Sequence, residues 1–263
     1  MGAFFIPAGE NRYRSTQHTV GPWNAESQHL GPPSALLVRE FERTAPREDA
    51  HLARVTFEVL GPVPVAELEV HAEVERPGRS VELLRGELRY EGRAVLAAKA
   101  WRIVTSDTEA VRAGAPPRVD PPDAAEPMRV PEGWGGGYLA AVEWLALRGG
   151  GIFTPGDATV WGRPKVETVD GEQASPLQKL FAIADSASGV SSRLDIRKWF
   201  SINTDLSVHL FRQPTGEWFA LEANTVIGPD GVGVAASVLH DETGPVGRTA
   251  QALFVRERGS RSG

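Results

Sequence analysis

An aspartate closes an otherwise apolar run, Leu180-Phe181-Ala182-Ile183-Ala184-Asp185. A helix carrying that run has to bury it, and a carboxylate drawn out of water with it is costly unless it serves a purpose. Desolvation disfavours the charged form and raises the pKa toward that of a usable general base. The competing reading is local: Asp185 lies near the helix end, where Ser186 or Ser188 can bond with it. Thr204 and Gln251 are weaker signals. A threonine at a strand start is most often a turn residue or an edge hydroxyl. A glutamine between Ala250 and Ala252 most often faces solvent. The 6 histidines, His18, His29, His51, His71, His209 and His240, show no metal-ligand spacing. The chain has 0 cysteines, so thiolate nucleophiles and thiolate metal sites are excluded. No metal and no cofactor is expected. Arg193, Arg197 and Lys198 make a small basic cluster after the helix, the kind most often found on a solvated loop.

The elements that must position these residues come twice. Ala53–Val104 and Leu206–Glu257 both read as three or four long strands with tight turns. In each the first strand ends near a proline (Pro62, Pro214), a turn follows at Pro77-Gly78 or Pro229-Asp230-Gly231, and the end is Ala98-Lys99-Ala100 or Ala250-Gln251-Ala252. A proline-led apolar helix precedes each copy: Pro32 and Pro33 open one running to about Arg43, and Ser175-Pro176-Leu177-Gln178 caps another over 176–187. Repeats of this kind govern the whole fold. Ala66–Glu75 alternates strictly, with Ala66, Leu68, Val70, Ala72 and Val74 on a dry face and acidic residues with His71 on a wet one. The phase slips at Leu83-Leu84, which suggests a β-bulge in Val81–Tyr90. Asn11–Trp23 reads as a short strand or hairpin arm, and Leu139–Leu147 and Asp157–Val166 as strands. The expected fold is α+β: two curled antiparallel sheets, each around one buried helix, paired edge to edge. One unit covers 1–105 and the other 138–263. The stretch 106–137, with Gly135-Gly136-Gly137 and repeated prolines, is an extended linker.

Composition bounds the rest. At 263 residues, 41% hydrophobic and 24% charged, the chain is an ordinary globular protein. A formal charge of −6 argues against nonspecific nucleic-acid binding. No apolar run is long enough to span a membrane, and Met1–Pro7 lacks the basic and apolar regions of a signal peptide. A cysteine-free chain suits the cytoplasm. The tail from Arg256 is basic, rich in glycine and serine, and expected to fray.

Several stretches carry a resemblance: His29-Leu30-Gly31-Pro32-Pro33-Ser34-Ala35-Leu36-Leu37, Glu75–Trp101, Ile183-Ala184-Asp185, Asn203-Thr204-Asp205-Leu206-Ser207 and Thr249-Ala250-Gln251. In order and spacing the chain resembles the double-hotdog acyl-CoA thioesterases of the thioesterase II type, from about Asn11 to Arg256. It departs at Gly31-Pro32-Pro33, where that family's first helix begins glycine-rich. The resemblance implies hydrolysis of an acyl-CoA to a free acid and CoA, with Asp185, Thr204 and Gln251 gathered around one water and no covalent intermediate. Aligning the two copies within the chain places Glu42, His51 and Lys99 opposite those three in the first unit, as a degenerate copy shaping the pocket or as three surface charges. The resemblance offers CoA phosphates to the basic cluster. A non-catalytic acyl-CoA or acyl-carrier binding protein is the alternative. A hotdog dehydratase or hydratase is a third, disfavoured because no histidine–acid dyad is evident. Two free outer sheet edges lead to the expectation of a homo-oligomer.

Overall fold

The alternating stretch 66–75 folds as a strand, with Leu68 and Val70 buried, in a computed structural model that describes residues 2–130, 132–150 and 154–259. The elements run β1 (Ala3–Gly9), β2 (Arg12–Ser15), α1 (Gly31–Arg43), β3 (Ala50–Val59), β4 (Glu67–Arg76), β5 (Val81–Tyr90) and β6 (Arg93–Val104). After the proline-rich stretch come β7 (Glu126–Pro127), α2 (Gly137–Ala141), β8 (Val142–Arg148), β9 (Ala158–Pro164), β10 (Glu167–Val169), α3 (Pro176–Ala184) and α4 (Ala187–Val190). The chain closes on β11 (Trp199–Asn203), β12 (Asp205–Leu210), β13 (Phe219–Ile227), β14 (Val232–Asp241) and β15 (Gly244–Glu257).

The fold is α+β, a few helices against a large sheet. Among the described residues the strands run in the order β10-β1-β2-β4-β5-β6-β3-β12-β15-β14-β13-β9-β8-β7, with β11 also on β15. Neighbours are antiparallel except β1 and β10, which pair in parallel. β3 and β12 meet with Ser207 opposite Thr56. α1 packs along α3, and the buried apolar side chains of both halves form one cluster, with the rings of Phe57 and Phe181 5.9 Å apart edge to face. The sheet ends on short strands, β10 of three residues and β7 of two, and Pro127 has no N–H to offer a further strand.

Three expectations change. Val81–Tyr90 alternates without a break: Glu82 faces inward with Leu84 and Leu88, and its carboxylate accepts from the Arg102 Nε at 2.6 Å. A buried ion pair imitates a phase slip. The extra residue is Glu75 on the partner strand, since Val74 opposes Leu84 and Arg76 opposes Leu83. Leu139–Leu147 starts as the helix α2, because Gly137 turns the chain at φ 56° and Tyr138 is inserted into the core. β1 and β10 lie outside the expected elements, each held by the other. Arg256 and Glu257 lie in β15 instead of a frayed tail. Met1 and residues 260–263, the ends of the two expected units, lie outside the described residues.

The outer faces differ. On the first unit Glu69 pairs with Arg12, Glu73 with Arg85, and Glu75 with Lys99. On the second, Ile202, Val226, Val232, Val234 and Phe254 stand exposed on adjoining strands.

Candidate functional site

Ser175 caps α3 by accepting the Gln178 N–H at 3.1 Å, with Pro176 in the first turn. Only half of the expected capping box forms. The Gln178 side chain reaches Glu42 on α1 instead, Nε2 to Oε2 at 2.7 Å. α3 then ends with Asp185 as its C-terminal cap. α1 crosses alongside with its start against the end of α3. The contact is so close that a Cβ on Gly31 would lie 2.1 Å from the Ala182 carbonyl oxygen, so only glycine fits there.

The start of α1 has few free donors. Pro32 and Pro33 carry no N–H, and Ser34 N–H donates to the Leu30 carbonyl at 3.0 Å. The Gly31 N–H donates to His29 Nδ1 at 3.1 Å, and the Leu30 N–H donates to the Asp185 carboxylate. Two further donors converge on one oxygen of that carboxylate: Gln251 Nε2 on Oδ1 at 2.7 Å and Asn203 Nδ2 on Oδ1 at 2.9 Å. Gln251 Nε2 also lies 3.2 Å from the Asp185 backbone oxygen. Asp185 is 6% exposed and Gln251 1%. Burial pushes the Asp185 pKa up to about 7, against the pull of the amides from Asn203 and Gln251 and of the Leu30 N–H. An acid at that value can take a proton near neutral pH. Gln251 Oε1 is buried and no protein donor reaches it, which leaves an acceptor for an O–H placed beside Asp185.

Asp185 and Gln251 therefore come together, and Thr204 does not join them. Thr204 is exposed, and its hydroxyl lies 3.4 Å from the Ala252 carbonyl oxygen. Its neighbour Asn203 takes the place instead. Directly opposed residues of an antiparallel pair share a face. Asn203 opposes buried Leu253, on the face that Gln251 also uses, whereas Thr204 N–H meets exposed Ala252. A bulge follows, because the four steps from Asn203 to Ser207 face only three from Leu253 to Ala250. Strand parity is the signal that selects Asn203, and it is readable only once the pairing is known.

The first-unit trio also separates. Glu42 lies at the helix crossing, but Lys99 points outward to Glu75 and His51 is exposed. In the basic cluster Arg193 bonds Asp157 and the Thr225 carbonyl, and Arg197 bonds Asp195. Two of its three charges thus have local partners. His29, set aside for want of any spacing, lies with Nδ1 3.4 Å from Asp185 Oδ2. A cavity of about 330 Å³ lined by Asn11, Glu40, Val70, His71 and Arg89 sits on the first unit and includes none of the site residues. The convergence of side chains on a buried acid is the better guide to chemistry than that polar cleft. No group of three or more acids and histidines able to hold a metal ion is found among the described residues, and no helix among them is long and apolar enough to cross a membrane.

Comparison with known families and structures gives a consistent result. The acyl-CoA thioesterase N-terminal domain family matches residues 19–103, and the acyl-CoA thioesterase C-terminal domain family matches residues 122–255. A hot dog fold protein of unknown function from Alicyclobacillus acidocaldarius superposes with a TM-score of 0.72 at 15% identity, over 95% of this chain and 93% of the other. Acyl-CoA thioesterase II TesB2 from Mycobacterium marinum gives 0.66 at 13% identity, over 96% and 94%. The tesB protein of Mycobacterium avium subs. paratuberculosis gives 0.66 at 15%, over 96% of each chain. At these identities the structures show a shared hotdog fold. No curated protein sequence matches the chain.

Proposed function

The chain belongs to the acyl-CoA thioesterase family, and from that premise we propose that it hydrolyses an acyl-CoA thioester to a free carboxylic acid and CoA. The observation that carries this reading is the buried Asp185 carboxylate, its Oδ1 held by Gln251 and Asn203 and its pKa raised to about 7. Water donates one proton to Asp185 while its oxygen bonds to the thioester carbon. The tetrahedral species then collapses with cleavage of the C–S bond, and the proton goes to the departing sulfur. Gln251 and Asn203 orient the base, and Gln251 Oε1 can accept the other O–H of the water. Thr204 has no part in it.

The units 1–105 and 138–263 are part of the same proposal, with the division between them in 106–137. The family matches over 19–103 and 122–255 support it, although β7 already pairs with β8 of the second unit. A homo-oligomer is also part of it. The short end strands offer little edge, whereas the apolar cluster of Val226, Val232, Val234 and Phe254 on the outer face suits a second copy of itself better than the ion-paired outer face of the first unit. Light scattering showing a monomer at high concentration would remove that part.

The test is release of free thiol from a panel of acyl-CoAs, followed with a thiol reagent. Release that disappears in Asp185→Asn supports the proposal; binding without release selects the non-catalytic alternative. One observation favours a second reading, hydration of an enoyl-CoA: the imidazole of His29 stands beside Asp185. Loss of enoyl absorbance without thiol release would select it.

A further inference from the structure

His29 belongs to the first unit, and Asp185 to the second. The imidazole is fixed from two sides. Its ring lies flat on Tyr138, centroids 3.8 Å apart and planes 9° from parallel. Tyr138 is fully buried, and its hydroxyl donates to the Ala182 carbonyl at 2.9 Å and bonds Ser186 Oγ at 2.8 Å. The Gly31 N–H points at Nδ1, so Nδ1 is an acceptor and the ring proton sits on Nε2. Burial pulls the His29 pKa down to about 3, which keeps the ring neutral. Nδ1, whose single lone pair takes the Gly31 N–H, therefore stands 3.4 Å from Asp185 Oδ2 with no proton between them. Oδ1 has two side-chain amide donors, and the side chain facing Oδ2 is an acceptor.

Two facing acceptors repel while the acid is ionised and form a hydrogen bond when one gains a proton. We propose that His29 is a positioning residue for the hydrolysis proposed above, on which this inference rests: Nδ1 raises the basicity of Asp185 and, sharing its lone pair with the Gly31 N–H, accepts the Oδ2–H hydrogen bond once that oxygen has taken the proton of the attacking water. An O–H bond of water breaks, a C–O bond forms at the thioester carbon, and an Oδ2–H bond forms pointing at Nδ1. When the C–S bond breaks, the same proton leaves Oδ2 for sulfur. His29 gains no proton and no charge in the cycle. The site is thereby shared between the two units. The other groups facing the pair are Tyr138 from α2, which burial keeps neutral, Asn203 from β11, Gln251 from β15 and the Leu30 N–H before α1.

The test is His29→Phe, which keeps a flat ring on Tyr138 and removes Nδ1. The acid limb of the kcat/KM pH profile should move down by about half to one pH unit. The plateau rate should fall by about 2–10-fold, with KM within about twofold. A rate loss with an unmoved acid limb would assign His29 a packing role and overturn the inference. The second measurement needs no hydrolysis: the Asp185 carboxyl is titrated by ¹³C NMR in the parent and in His29→Phe, assigned by its loss in Asp185→Asn. A lower Asp185 pKa in His29→Phe upholds the coupling even if no acyl-CoA is cleaved, in which case the proposed function fails separately. An unchanged value overturns the inference while leaving hydrolysis in place.

Discussion

Glu42 and Asp185 occupy matching places in the two halves. Glu42 comes nine residues after Pro33 and Asp185 nine after Pro176, and each lies at the end of one core helix beside the start of the other. Burial pushes both pKa values up. Their partners separate them. Glu42 accepts from Ser175 Oγ on Oε1 and from Gln178 Nε2 on Oε2, both at 2.7 Å, so each of its oxygens has a donor. Asp185 takes both of its side-chain donors on Oδ1 and turns Oδ2 toward His29. The last strand of each half makes the difference. On β6 the inward positions flanking Lys99 are the buried Ala98 and Ala100, whereas β15 sends Gln251 inward. A helix crossing supplies a buried acid in both halves; a lopsided set of side-chain donors separates the proposed base from the clamp.

The comparison breaks most easily at the acids themselves. Asp185→Asn should lower thioester hydrolysis by about 10²–10⁴-fold and change substrate binding far less. Glu42→Gln should stay within about threefold. Equal losses in a thiol-release assay would erase the distinction.

A second effect concerns pH and stability. The ordinary value for Asp185 is 3.8 and the folded value about 7. Between them the folded state holds a proton that the unfolded chain releases, so stability falls as pH rises through that window. The stabilisation is fully present below 3.8 and gone above about 7. Asp185→Asn lacks this slope and should be more stable than the parent at pH 8, by about 2–4 kcal/mol, with the two converging near pH 4. Urea midpoints across pH 4–8 check it, and parallel curves would mean that Asp185 is not desolvated. The raised Glu42 acts with the same sign in both proteins and cancels.

The amides come next. Gln251→Ala and Asn203→Ala should each cost about 10–100-fold in kcat, and the double variant less than the product, since both hold one oxygen. Thr204→Ala should stay within about twofold. A larger loss for Thr204 than for Asn203 in kcat would reverse the strand parity assigned here. The smallest effect sharpens the role of the clamp. Glu42→Ala leaves Ser175 and Gln178 without their acceptor and should cost about 1–2 kcal/mol in chemical denaturation, with a kcat close to that of the parent.

Much of this was legible before any coordinates. Proline-led starts and the Ser175 cap are local signals, and they place both core helices. Alternation places β4 because it needs only nearest neighbours. A carboxylate ending an apolar run pointed to Asp185. What stayed hidden depends on distant pairing. Asn203 and Thr204 differ only in which of Leu253 and Ala252 they oppose. Glu82 looks like a phase error until Arg102 is seen beside it. β1 and β10 pair across more than half the chain. His29 has no meaningful spacing to any acid, because a helix crossing, not a motif, brings it to Asp185.

Residue 31 acts as a gauge block between two helices. With a hydrogen in place of a methyl group, it lets the start of α1 rest against the Ala182 carbonyl, where a Cβ would stand 2.1 Å away. That clearance sets how near the Leu30 N–H and His29 Nδ1 come to Asp185. The acid strength of the site is thus written into a backbone separation, and a side chain that never meets substrate would reset it.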